Sequence, residues 1–370
     1  MGLLGACFAA LPDPRTGNAT RHELLEVLTI ALVGSICGAE SCVDFADFAR
    51  DREVLFRDFL KLENGLPSHD TFSRLFRLLD PVAFAGCFAH FLDVLGEAGR
   101  GVLAIDGKTL RRSFDRAGST SPLAVVTAFA CEARLVLGQV AIPDGGNEIP
   151  AARTLLGLFD LTGMLVTGDA IHCQAETARL VRDRGGEWLF ALKANRPAML
   201  AEVTECFADP QAVFETHTTT DADHGRLETR RHAVSHDAGW LFSDRRYPDE
   251  PVLPGLATLA MVEATTERDG RTNTVRRYYL SSATLSAARF AEAVRAHWRI
   301  ENALHWVLDT GFDEDRARNR RDHGPENLAT LRKLALNVLR STRPDISIRR
   351  KRTRSGWSDD FARSILGHMR

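Results

Sequence analysis

Val102-Leu103-Ala104-Ile105-Asp106-Gly107-Lys108 is the stretch that decides the fold. Its four leading apolar residues read as a short buried strand that ends on a carboxylate. Further along, residues 123–130 form a second apolar run and 135–142 a third, with a turn at 131–134, so these two read as a hairpin. Residues 150–161 then read as a helix, 164–167 as a strand ending at Gly168-Asp169, 174–183 as a helix and 188–192 as a fifth strand. A meander followed by helix–strand–helix–strand predicts an α/β fold. Crossover connections are right-handed almost without exception, so the helix after the meander lays the fourth strand parallel to the first. Asp106 and Asp169 then end neighbouring parallel strands, where open α/β sheets build their ligand sites.

The flanks differ from this centre. Residues 20–98 carry apolar positions at helical spacing: Leu24, Leu25, Val27, Leu28, Ala31 and Leu32, then Phe72, Leu75 and Phe76, then Phe84, Phe88 and Phe91. Ser68 reads as the N-cap of the second set, Pro81 starts the third helix and residues 96–101 end it. The span 56–79 is open to two readings. It is either a helix-turn-helix offering Ser68, His69, Ser73 and Arg74 to DNA, or part of an ordinary helical bundle. Residues 200–285 are rich in Thr, Arg and β-branched runs and read as a β-rich insertion, with strands at 227–234, 256–262 and 275–281. Two helices follow at 286–309 and 325–340, and from Thr342 a basic, loosely ordered tail. The expected organisation is a helical N-terminal domain over 1–98, the first part of an α/β core over 99–199, the insertion over 200–285, the returning helices over 286–341 and the tail over 342–370.

Composition narrows the class. The chain has 370 residues, 44% hydrophobic and 26% charged, an ordinary globular balance with material for two or three domains. Seven scattered cysteines, an odd number without a Cys-x-x-Cys pair, argue against a disulfide framework or zinc ribbon and for a reducing compartment. No basic leader precedes the first apolar stretch, and residues 24–37 are too short to span a membrane and hold Glu26. A cytoplasmic protein without a membrane partner is expected. The net charge of −2 hides an asymmetry: from Arg316 onward fifteen Lys and Arg stand against five Asp and Glu. That imbalance suits either a polyanionic partner or a solvated basic tail.

A carboxylate at the end of a buried strand is unfavourable unless paired, and two facing each other repel. A divalent cation answers both problems, and hard oxygen ligands select Mg²⁺ or Mn²⁺. Two such ions can clamp a phosphodiester, one activating water or a 3′-hydroxyl and the other stabilising the leaving oxygen. A third carboxylate has to reach in from elsewhere, and Glu301 is the candidate, on a helix anchored by Trp298, Leu304 and Trp306 with His305 on its face. Any one Asp after a strand is equally a turn residue or helix cap. Lys108, Arg111 and Arg112 after the first strand and Lys193 after the fifth are candidates for holding DNA backbone, against the alternative of surface cations. Arg316, Arg318, Arg320 and Arg321 follow the Glu helix, where they can track DNA. His224, His232 and His236 fit no zinc spacing and read as strand or loop histidines. No Gly-rich phosphate loop occurs, so no nucleotide triphosphate is implied.

Three contexts carry a resemblance: Ala104-Ile105-Asp106-Gly107-Lys108, Gly168-Asp169-Ala170-Ile171-His172-Cys173-Gln174 and His297-Trp298-Arg299-Ile300-Glu301-Asn302. They strongly resemble DDE transposases, above all the ISAs family of bacterial insertion sequences with its H-repeat-associated proteins. Leu66-Pro67-Ser68-His69-Asp70-Thr71-Phe72, Ala191-Leu192-Lys193-Ala194-Asn195, His224-Gly225-Arg226-Leu227-Glu228, Tyr278-Tyr279-Leu280-Ser281-Ser282 and Pro325-Glu326-Asn327-Leu328-Ala329 extend it over nearly the whole chain. The resemblance implies a ribonuclease-H-like catalytic core with a β-rich insertion, preceded by an all-α N-terminal domain. It also implies that Asp106, Asp169 and Glu301 are the metal-binding triad. The expected activity is Mg²⁺-dependent DNA cleavage and strand transfer at insertion-sequence ends, with Mn²⁺ able to substitute. Its partner would be double-stranded DNA, both terminal inverted repeats and target, bound by a homodimer at the bacterial nucleoid. The competing readings are a decayed or domesticated copy that only binds DNA, and another nuclease on the same core. Many members of the wider class carry Arg four residues before the Glu and Lys seven after it; here His297 and Leu308 stand there. His297, Arg295 and Arg299 are the candidates for gripping phosphate near Glu301.

Overall fold

The computed structural model describes residues 3–94, 100–114, 121–223, 226–242, 252–268 and 271–367. In chain order the helical N-terminal part holds α1 (Leu3–Phe8), α2 (Leu24–Cys37), α3 (Cys42–Asp51), α4 (Glu53–Arg57), α5 (His69–Leu78) and α6 (Pro81–Val94). The middle holds β1 (Gly101–Thr109), β2 (Ala124–Ala130), β3 (Leu135–Ile142), α7 (Glu148–Leu156), β4 (Met164–Gly168), α8 (Ala175–Asp183), β5 (Glu187–Leu192) and α9 (Pro197–Ala208). Then come β6 (Glu215–Asp223), β7 (Arg226–Ser235), β8 (Thr258–Arg268) and β9 (Arg271–Ser281). The chain ends with α10 (Ala287–His297), a π-helical turn (Ile300–His305), α11 (Trp306–Gly311), α12 (Gly324–Ser341), α13 (Ile348–Trp357) and α14 (Asp359–Leu366). By its internal contacts the chain forms two units, one of residues 1–99, 107–151 and 301–370, the other of 100–106 and 152–300.

In the first unit α12 is the central helix. It packs on α2, α5, α6, β3 and α13. Its core face carries Leu328, Leu331, Leu334 and Leu336, and it also buries Asn327, Thr330, Arg332, Lys333 and Asn337. Those polar groups find partners, as buried polar groups must. Asn337 accepts from the Val136 backbone N–H at 3.0 Å and donates to the Val136 carbonyl at 2.8 Å, acting as a one-residue strand against β3. It does so where the β2–β3 register shifts, after Ala128. Asn327 donates to the carbonyls of Phe76 and Leu79, which closes the end of α5. The Leu24–Cys37 segment is a buried helix, and the Glu26 that interrupts it accepts from the Leu62 N–H at 2.9 Å.

A helix-turn-helix is not formed. Residues 58–68 separate the five-residue α4 from α5, far beyond the three-to-four-residue turn of that motif. Ser68 precedes α5, but its hydroxyl meets Thr71 Oγ1 rather than capping a backbone N–H. The tail is not loose either. Two helices, α13 and α14, fill it, because its cations point inward: Arg352 donates to the Ser35, Ala39 and Gly311 carbonyls and Lys351 to those of Leu339 and Thr342. With Arg332 and Lys333 also buried, part of the basic excess beyond Arg316 serves the interior.

In the second unit the strand order is β1-β4-β5-β9-β8-β7-β6. β1 pairs parallel with β4 and β4 parallel with β5, as the crossover argument requires. β9 then joins β5 antiparallel, Leu192 facing Tyr278, and the hairpins β8–β9 and β6–β7 carry the sheet outward. The insertion is therefore β-rich, but it opens with the helix α9 and holds four strands. β6 escaped the sequence reading because Glu-Thr-His-Thr-Thr-Thr-Asp-Ala-Asp has no apolar alternation. The end of α6 read at Gly96, and His224, lie outside the described residues.

Candidate active site

The second unit brings two of the expected acids to one level. Ala104 of β1 faces Thr167 of β4 in the parallel ladder, and Asp106 and Asp169 each follow two residues later. Strand alternation puts Asp106 on the Ala104 side of β1, and Asp169 follows the end of β4 in extended backbone (φ −67°, ψ 170°). β1 itself continues past Asp106 to Thr109, whereas β4 stops at Gly168. Gly168 is tight: an added Cβ would lie 2.9 Å from His172 Cδ2 and 3.2 Å from Ile105 Cγ1. The Asp169 side chain is 61% exposed, and both its oxygens lie 3.2 Å from Lys193 Nζ.

The turns that hold Asp169 and Lys193 latch onto each other. Asn195 donates to the Ala170 carbonyl at 2.8 Å, and Arg196 reaches the Cys173 carbonyl and Gln174 Oε1. These bonds give the Gly168–Gln174 and Ala191–Asn195 segments a shared structural reason. Sequence reasoning missed Asn195 and Arg196 because the bonds join residues more than twenty positions apart.

His297 ends α10, and its Nδ1 lies 3.0 Å from Thr167 Oγ1. Burial pushes the imidazole pKa below its ordinary value, while the negative charges of Asp106 and Asp169 pull the other way. Burial wins, so the ring favours its neutral form, and both carboxylates are close enough for their charges to act on it. α10 is fixed to the sheet by Phe290, edge-on to His232 and Tyr279, and by Arg295 paired with Asp221 at 2.9 Å.

The remaining expected residues belong to the first unit or are solvated. Glu301 is exposed on the π turn between α10 and α11, and Arg299 is exposed just before it. Lys108 is not a surface cation. Its side chain is 11% exposed, pairs with Asp309, and lies 3.2 Å from Glu314. Burial would push its pKa down, but Glu314 and Asp309 outweigh it and hold the value above normal. Glu314 is fully buried; Lys333, Lys108 and Arg332 overcome that burial and hold it ionised. Arg111 is 3.4 Å from Asp315, Arg316 is 3.6 Å from Asp313, and Arg112 and Arg318 are exposed. Arg318, Arg320 and Arg321 line a cavity of about 500 Å³ with Ser73 and Arg77 of α5.

The donor set suits a hard divalent cation. Mg²⁺ binds through one or two carboxylates, keeps several waters and takes further oxygens from substrate phosphates. Asp169 and Asp106 supply carboxylates, and at Asp169 an ammonium already sits against both oxygens, where positive charge is favoured. Among the described residues no group of three or more His, Cys, Asp or Glu is arranged to hold a metal ion. His232 Nδ1 meets the His217 carbonyl at 3.3 Å and His236 Nε2 the Leu285 carbonyl at 3.0 Å. All seven cysteines are free, and burial pushes the Cys37 and Cys42 thiols up to about 12. No single helix among the described residues is long and apolar enough to cross a membrane.

Comparison with known proteins places this geometry. Residues 97–338 match the transposase DDE domain, and residues 6–92 match the domain described as DDE_Tnp_1-associated. "Putative transposase YncI" of Escherichia coli is 33% identical over 367 residues, covering 97% of this chain and 93% of that one. "H repeat-associated putative transposase YhhI" of Escherichia coli is 31% identical over 366 residues, covering 97% and 96%. An uncharacterised protein encoded in the dhlA 3′ region of Xanthobacter autotrophicus is 39% identical over 290 residues, covering 75% and 93%. With Asp106 and Asp169 each two residues past the paired positions Ala104 and Thr167 of adjacent parallel strands, inside the matched span, the chain belongs to the DDE transposase family.

Proposed function

We propose that this chain cleaves DNA at the ends of an insertion sequence and joins the freed 3′-hydroxyl to target DNA. In this reading Asp106, Asp169 and Glu301 hold Mg²⁺ or Mn²⁺. The observation that carries it is the Asp106–Asp169 pair, each two residues past the Ala104–Thr167 partners of adjacent parallel strands. The order β1-β4-β5, with β2 and β3 as an antiparallel hairpin, supports a ribonuclease-H-like core. When bound, the metal supplies charge neutralisation at the scissile phosphate and lowers the pKa of its water or hydroxyl.

The chain's own residues do the rest. Asp169 would hold the metal together with Asp106 and Glu301, and Lys193, whose ammonium lies 3.2 Å from both Asp169 oxygens, would hold a phosphate oxygen of the DNA. His297, neutral and bonded to Thr167, adds no positive charge that would compete with a cation at the carboxylates. Arg111, Arg112, Arg299, Arg316 and Arg318 are the solvent-facing cations for the DNA backbone, and the Arg318–Arg321 cavity with Arg77 suits phosphates in particular. Two element ends have to be processed together, so the working form is a homodimer on DNA.

The test uses the full chain, duplexes carrying the ends of its own element, and Mg²⁺ or Mn²⁺, with products mapped to the nucleotide. Asp106→Asn is expected to abolish nicking and strand transfer while duplex binding persists. Undiminished cleavage by that variant sinks the assignment. Binding by the native chain without nicking in Mn²⁺ leaves only a DNA-binding role.

A further inference from the structure

The turn that carries Glu301 is unusual in itself. Residues Ile300–His305 form a π-helical turn between two α-helices, and such wide turns are rare and cluster at functional sites. Widening takes the carbonyls out of the regular i→i+4 ladder, so they need other donors or strong bracing. Two of them receive donors from distant parts of the first unit. Arg340, at the end of α12, donates Nη2 to the Ala303 carbonyl, and Lys108 Nζ lies 3.5 Å from the His305 carbonyl.

Both cations are placed at a cost. Burial pushes the Arg340 guanidinium down to about 10, and it makes no ion pair with any described carboxylate. Its other contacts are the Arg134 carbonyl and the face of Phe129, 5.5 Å away. A half-buried guanidinium that spends its donors on main-chain carbonyls of two segments fixes backbone geometry; it neutralises no charge. Lys108 is held by Asp309 and Glu314, both beyond the π turn, and stands two residues after Asp106 on β1. Ala303 stands two residues after Glu301. Each brace therefore grips main chain or side chains a short way along the chain from an expected metal ligand.

We propose that Arg340 and Lys108 are positioning residues: they hold the π turn open in the one backbone shape that presents Glu301 for metal binding. The proposal rests on the reading of Glu301 as a ligand, and its test separates the two. The full-length protein is prepared as Arg340→Met, which keeps the apolar stem on Phe129, as Arg340→Lys, which keeps one donor, and as Glu301→Gln. Hydrogen exchange of a peptide covering the π turn, Mn²⁺ affinity by calorimetry without DNA, duplex binding and nicking against Mn²⁺ concentration are measured on each.

For Arg340→Met, exchange is expected to accelerate in the π turn ahead of the rest of the first unit. Mn²⁺ affinity should fall on the order of tenfold, the usual effect of removing a group that orients a ligand. Duplex affinity should stay unchanged, and Arg340→Lys should recover part of both losses. Uniform acceleration of exchange across the first unit, or unchanged π-turn exchange in a folded variant, overturns the proposal. If Arg340→Met does not fold, the same readings on Arg340→Lys decide. If Glu301→Gln keeps native Mn²⁺ affinity while Arg340→Met still opens the turn locally, the brace stands and the ligand role of Glu301 falls.

Discussion

Glu314→Gln removes one charge from the most deeply buried ionic group of the first unit, and its cost can be worked from the neighbours. The native carboxylate lies 3.2 Å from Lys108 Nζ and carries the opposing field of Lys333 and Arg332. In the variant Lys108 keeps Asp309, but Lys333 is left with the Gln139 oxygen and Arg332 with the Glu40 carbonyl at 3.5 Å. Lys333 and Arg332 then lose the carboxylate whose charge most offsets their burial and keep only the weaker fields of Glu326 and of Glu40 and Asp313, and breaking a buried charge arrangement from one side destabilises by about 3–5 kcal/mol. That is a large fraction of the roughly 5–15 kcal/mol that holds a typical domain together. With a urea dependence of about 2 kcal/mol per molar, the unfolding midpoint should fall by about 2 M. Equilibrium urea titration followed by tryptophan fluorescence reads this directly. Because the penalty comes from stranded cations, Glu314→Gln with Lys333→Met should be more stable than Glu314→Gln alone. A midpoint loss under about 0.5 M, or a double variant no better than the single one, would refute the view that charge balance governs this interior.

The other predictions follow from single contacts. Burial pushes Lys333 down to about 8, so below that pH it is protonated folded and unfolded alike and its full burial penalty applies. Between about pH 8 and the ordinary lysine value of 10.5 the unfolded chain binds the extra proton, so stability should rise with pH, and Lys333→Met should flatten the rise in urea titrations. Gly356→Ala puts a Cβ 2.6 Å from the Cys37 carbonyl oxygen, a backbone atom that cannot step aside, and should lower stability by about 1–3 kcal/mol in urea titrations. Gly168→Ala crowds His172 and Ile105 beside Asp169 and should reduce nicking far more than duplex affinity. Thr167→Val removes the hydroxyl next to His297 Nδ1 and should raise the Mn²⁺ concentration needed for nicking while leaving duplex affinity unchanged.

What could be read in the sequence followed hydrophobic pattern, and what could not followed long-range polar pairing. The 135–142 run is β3 and the 24–37 run is α2, because each is apolar enough to announce its period. The parallel placement of β4 beside β1 came from the crossover rule alone, and with it the Asp106–Asp169 level. Residues 286–309 read as one helix because α10, the π turn and α11 share a continuous apolar stripe; the widening at 300–305 depends on Arg340 and Lys108, and Lys108 lies nearly two hundred residues away. Lys108 looked like a DNA-facing cation for the same reason: nothing near it in sequence foretells Asp309 and Glu314. The basic run Arg349–Arg352 suggested a solvated tail, whereas Lys351 and Arg352 turn inward to carbonyls left over at helix ends.

The four-stranded insertion has a further consequence through its two margins. Strand β9 lies along β5, occupying backbone groups that would otherwise face solvent beside the Lys193 turn. At the far margin β6 presents Thr, His, Asp and Glu instead of apolar side chains. Open strand edges recruit other chains, and polar, charged borders discourage it. Excising residues 215–281 would uncover an apolar border, Trp188-Leu189-Phe190-Ala191-Leu192, where a guarded one now stands. A shortened protein of that kind should aggregate on expression. The inserted strands therefore act as a fender along the apolar edge of β5.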